Sequence, residues 1–132
     1  MRITALVIIA AAVSASLPAT PAAAQDAAAG QRVFNQCRAC HTVEQGGRNG
    51  VGPNLYGLFG RVAGSLDGFR YSAPMRERGT GGLVWDAETL SPYMENPRAV
   101  LPGGSMAFAG LRNEQQRSDL IAYLRQATGA AQ

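Results

Sequence analysis

The chain has 132 residues, 46% of them hydrophobic and 16% charged, with 12 arginines, no lysine, nine acidic residues and a formal net charge of +3. This length makes one small domain, and the absence of any basic cluster interleaved with aromatics speaks against nucleic-acid binding. The two cysteines and single histidine leave a four-ligand zinc site short of ligands.

In chain order, residues 1–24 read as a secretory signal: Arg2, an apolar run from Ile3 to Leu17, then Ala22-Ala23-Ala24. The run is short for a bilayer span and is interrupted by Thr4, Ser14 and Ser16. Cleavage is expected after Ala24, with retention as an uncleaved anchor as the alternative. The bacterial style of the signal makes the periplasm the expected address, a compartment that permits disulfides. The mature domain, residues 25–132, carries 11 arginines against nine acidic residues. Nothing in it is apolar enough to cross a bilayer, and a core of this size is marginal alone.

Asp26 is placed to cap a helix through Ala27, Gly30, Val33, Phe34 and Cys37. There follows Cys37-Arg38-Ala39-Cys40-His41, which gathers both cysteines and the only histidine into five residues. Positions i, i+3 and i+4 share a helix face, so two sulfurs and an imidazole can meet one ligand. The spacing is that of a c-type haem attachment site, with Cys37 and Cys40 joined to the porphyrin and His41 on the iron. The competing dithiol reading expects the pair after a strand in a βαβ setting, whereas these flanks read as a helix running into a glycine-rich loop. A covalent haem would also supply the missing apolar centre, and without it the chain is expected to be mostly unfolded.

Gly46 to Gly68 is too rich in glycine for regular structure and is expected to wrap the haem as loop. Short helices are predicted near Ser72 to Arg78 and before Pro97. Pro92 would remove a hydrogen bond from a helix starting at Asp86, so a start with Ser91 as cap and Pro92 as first residue is expected instead. Asn113-x-x-Gln116 resembles a capping box for a last helix, with Leu120, Ile121 and Leu124 on one face and Gly129 at its end. No strand pattern and no repeat is present. For the second face of the iron there is no further histidine, leaving Met75, Met94 and Met106. Met94 sits in an apolar helical pattern that suits a core, and Met75 in a polar, arginine-flanked segment. Met106 follows the turn-rich run Leu101 to Ser105 and is favoured by elimination, with an open iron site as the alternative.

Longer motifs in order along Ala27 to Thr128 carry a resemblance. They are Gly30-x-x-x-Phe34, Cys37-x-x-Cys40-His41-Thr42-Val43, Gly52-Pro53-Asn54-Leu55-Tyr56-Gly57-Leu58-Phe59-Gly60-Arg61 and Phe69-Arg70-Tyr71-Ser72. Trp85, Tyr93-x-x-Asn96-Pro97, Pro102-Gly103-x-x-Met106-x-Phe108-x-Gly110 and Asp119 to Leu124 follow. The sequence resembles the class I cytochromes c, of the bacterial c2 and mitochondrial type. The resemblance implies an all-α, small single-domain cytochrome c fold, with helices wrapped around one covalently bound haem c and long loops. It implies His41 and Met106 as axial ligands, an arrangement that raises the reduction potential. It also implies the Pro53 carbonyl as acceptor of the second His41 N–H, Arg61, Tyr71 and Trp85 beside the haem propionates, and Tyr93 donating toward the Met106 sulfur. Gly30 and Phe34 would pack against Leu120 and Tyr123.

Two departures stand out. Lysines that often ring the haem edge in the family give way to Gln36, Gly104 and Ser105, with Arg98 and Arg112 keeping positive charge, and a polar neighbour of the haem is replaced around Met75. Thr80-Gly81-Gly82 reads as a small insertion. The expected function is that of a monomeric electron carrier, not an enzyme, docking transiently with redox proteins at the haem edge. The alternatives are a permanently bound cytochrome subunit of an oxidoreductase, and a haem sensor or peroxidase with open iron.

Overall fold

The computed structural model describes residues 24–129; the segment read as a signal lies outside them, apart from Ala24. Its helices are α1 (Ala27–Phe34), α2 (Ala73–Thr80), α3 (Ala87–Glu95), α4 (Pro97–Val100) and α5 (Glu114–Ala127). Among the described residues there is no strand, only one isolated antiparallel bridge between Val62 and Val84. The all-α fold is the one expected.

Asp26 caps α1 through its carboxylate, which accepts from the amides of Ala28 and Ala29. The helix stops at Phe34, shorter than expected. Its axis is continued by single turns, with Cys37 N donating to Phe34 O at 2.8 Å and His41 N to Cys37 O at 3.0 Å. The attachment motif therefore sits on a tight turn and not on the helix itself.

Helix α5 is capped by Asn113, which accepts from the Gln116 amide, and its continuation stops at Gly129 with φ of 73°. The first and last helices meet where side chains are smallest: a Cβ on Gly30 would lie 1.9 Å from the Asp119 carbonyl oxygen. Phe34 stacks on Tyr123 with ring centroids 5.3 Å apart, and Leu120, Ile121 and Leu124 are buried beside them. The Asp119 carboxylate also accepts from the Asp26 amide at 2.9 Å, tying the start of α1 to α5.

The expected start of α3 at Ser91 is wrong. The helix begins after Asp86, whose carboxylate accepts from Thr89 N while the Thr89 hydroxyl accepts from Asp86 N, a complete capping box. Pro92 lies inside the helix on its exposed side, and Glu88, whose carbonyl Pro92 leaves without an intrahelical donor, is exposed too. The proline is tolerated because that carbonyl reaches water.

Candidate haem site

One cavity of about 270 Å³ runs between α1, α3, α5 and the loops. Its walls are predominantly apolar, including Leu55, Leu58, Trp85, Leu90, Leu120 and Leu124. All nine residues singled out by motif and resemblance line it: Cys37, Cys40, His41, Pro53, Arg61, Tyr71, Trp85, Tyr93 and Met106.

The His41 ring is fixed from two sides. Its Nδ1 is 2.8 Å from the Pro53 carbonyl oxygen, which only accepts, so Nδ1 carries the hydrogen and Nε2 keeps its lone pair. Gly52 lies flat against the ring, and a Cβ there would come within 2.3 Å of Cε1. Burial lowers the His41 pKa, opposed in part by the Pro53 hydrogen bond, so the imidazole is neutral and suited to metal ligation. Asn54 holds the strap that carries Pro53: it is buried, donates to Thr42 Oγ1 at 2.7 Å and Glu44 O at 3.0 Å, and accepts from Tyr56 N.

Cys37 and Cys40 are not joined to each other by a disulfide. Burial, with repulsion from Cys40, pushes the Cys37 thiol up to about 11. A reactive thiol needs a lowered pKa, so Cys37 has the opposite character to an oxidoreductase nucleophile. Among the described residues no group of three or more His, Cys, Asp or Glu side chains is arranged to hold a metal ion.

Elsewhere in the lining the Tyr93 hydroxyl stands 4.0 Å from Met106 Sδ. Burial raises the Tyr93 pKa to about 12, so the hydroxyl stays protonated and donates. The Trp85 and Tyr93 rings pack at 5.1 Å between centroids. Met94 is buried in the core, as its helical pattern indicated, and also reaches the cavity. Met75 is half-buried and lines the cavity too.

The polar end holds Arg61, the one arginine in the cavity lining. Its guanidinium is half-buried and donates to the carbonyls of Asn54 and Tyr56. Ser72, also in the lining, contributes a buried hydroxyl with no hydrogen-bond partner in the protein. Buried hydroxyls are ordinarily satisfied. An orphaned hydroxyl, one cation and a predominantly apolar cavity fit a flat apolar macrocycle with an anionic edge. Ser72 and Asn54 stood in the sequence motifs without an assigned part. Only their burial singles them out, and no local pattern encodes it.

The family model for cytochrome c matches residues 27–128. The chain belongs to the cytochrome c family. A cytochrome c2 of Blastochloris viridis is 49% identical over 106 residues, covering 80% of this chain and 81% of the relative. A cytochrome c2 of Afifella marina is 50% identical over 98 residues, covering 74% and 79%. A cytochrome c-550 of Ancylobacter novellus is 49% identical over 98 residues, covering 74% and 92%. Membership brings one covalently bound haem c, with Cys37-x-x-Cys40-His41 as the matching motif, and the work of a monohaem electron carrier.

Proposed function

We propose that this cytochrome c is a periplasmic shuttle in which Cys37 and Cys40 form thioether links to haem and His41 and Met106 are the axial ligands. The observation that carries the reading is one cavity lined by both a neutral, carbonyl-tethered imidazole and a thioether facing a phenolic hydroxyl. When bound, the haem supplies the Fe(III)/Fe(II) couple. The chain's own residues do the rest. Pro53 orients His41 and raises its basicity. Tyr93 donates to the methionine sulfur. Arg61 would offset the charge of the haem's carboxylate edge, and the Ser72 and Tyr71 hydroxyls and the Trp85 N–H would offer it hydrogen bonds. The apolar walls exclude water, so the surroundings need little reorganisation when one electron arrives or leaves.

Residues 1–24 act in this reading as the export signal, with cleavage after Ala24, and among the described residues no helix is long and apolar enough to cross a membrane. Electrons pass at the cavity mouth, around Cys37, Phe108 and the Met106 loop. The donor is a quinol-oxidising complex or a dehydrogenase, and the acceptor an oxidase or reductase; each docks transiently with a monomeric, non-enzymatic carrier.

The test is the optical spectrum of the oxidised holoprotein at neutral pH. The reading expects the weak far-red sulfur-to-iron charge-transfer band, no carbon monoxide binding after reduction, and loss of both properties in Met106→Ala with haem still attached. Ready ligand binding by the parent protein would overturn it in favour of a sensor or peroxidase with open iron.

A further inference from the structure

The loop carrying Met106 leaves α4 at Leu101 and rejoins the fold at Leu111, and its two ends are anchored differently. At the far end Arg117 is buried and donates Nη1 to the Leu111 and Arg112 carbonyls, both at 2.8 Å. The Leu111 amide donates to Met94 O at 2.8 Å, and a Cβ on Gly110 would lie 2.1 Å from Glu95 O. That end is built into the core.

The near end depends on α2. The exposed Arg78 reaches 22 positions along the chain and donates Nη2 to Val100 O at 2.7 Å. Val100 closes the four-residue α4, whose last carbonyls have no intrahelical partner, and a cation is well placed there. Helix α2 has a polar sequence and only Gly79 buried, so apolar packing does little to hold it. Close backbone contact does: a Cβ on Gly79 would sit 1.9 Å from Ala63 O, while Gly103 lies within ordinary contact range of the Pro74 ring. Arg76 donates to the Tyr71 carbonyl. One short helix thus grips the segment that presents Tyr71 and Ser72 as well as the segment that delivers Met106, with its own Met75 facing the cavity.

We infer that Arg78 is a positioning residue, a latch that fastens α2 to the start of the Met106 loop and keeps the methionine side of the cavity closed. This rests on Met106 being the ligand. Local opening of a loop is governed by the few bonds that hold it. Loss of one charged-donor bond at an exposed site raises the open population by about tenfold.

The experiment compares the parent holoprotein with Arg78→Met and Arg78→Lys. It follows hydrogen exchange at the Gly104 amide, which donates to Leu101 O at 3.0 Å, and at the Thr128 amide, which donates to Leu124 O at 2.9 Å. It also follows the rate at which imidazole binds the oxidised haem. The latch expects Arg78→Met to accelerate both Gly104 exchange and imidazole binding by about tenfold, with Thr128 exchange unchanged and Arg78→Lys recovering part of the effect. An unchanged Gly104 rate, equal acceleration at Thr128, or faster exchange without faster imidazole binding would each overturn it. A parent protein lacking the far-red band would instead refute Met106 ligation, while Gly104 exchange would still report on the Arg78 bond.

Discussion

The Tyr93 hydroxyl and the Met106 sulfur, 4.0 Å apart, are the contact most able to tune the electron affinity of the site. A donated hydrogen bond draws density from the sulfur and favours Fe(II). Tyr93→Phe should therefore lower the reduction potential, by at most about 40 mV if the bond is worth about 1 kcal/mol, with the fold retained; potentiometric titration of the two proteins checks this. At this scale the sequence is legible where chemistry is rare. One histidine, two cysteines and a methionine after a turn-rich loop narrow the choice of ligands, and all four line the cavity. It is illegible where a common residue is made special by distant neighbours. Asn54 and Ser72 are ordinary polar residues until the 42–56 strap and the cavity bury them.

Among the elements, α1 and α5 follow directly from caps and apolar spacing, and their contact follows from the absence of a side chain at Gly30. Gly30→Ala forces a methyl group against the Asp119 carbonyl and the Tyr123 Cβ, 1.9 and 2.8 Å away. Backbone cannot yield as a flexible side chain does, so the substitution should destabilise by about 3 kcal/mol. A lowered denaturant midpoint at unchanged slope is the expected record. Helix α3 teaches the opposite lesson. Its proline argued for a later start, but the Asp86–Thr89 capping box outweighs one lost bond on a solvent-facing side. The Thr89 bonds hold the Asp86 carboxyl below its usual pKa. The stability it lends α3 is thus present above the unfolded carboxylate pKa and fades as pH falls through the lower folded value.

For the whole molecule, charge is the feature that most shapes encounters. The lining residues Gln36, Val51, Ser105 and Ala107, which are exposed, and Phe108, which is half-buried, carry no charge, and Val51 is 82% exposed. The arginines Arg98 and Arg112 are exposed but are not part of that lining. Docking at this face should rely on apolar contact more than on steering. The second-order rate of electron exchange with a redox partner should fall less than about threefold between low and physiological salt, where strongly steered pairs lose far more. Stopped-flow measurement over that range checks the expectation.

The pairing of α1 with α5 also governs when the protein can become itself. A chain emerging amino end first presents Gly30 and Phe34 early, yet the surface that buries them belongs to the final 14-residue helix. Until those residues arrive, the first helix lacks the α5 surface that it closes against. Closure of the fold therefore waits on α5 as well as on the haem, and truncation within α5 should leave α1 without its packing surface.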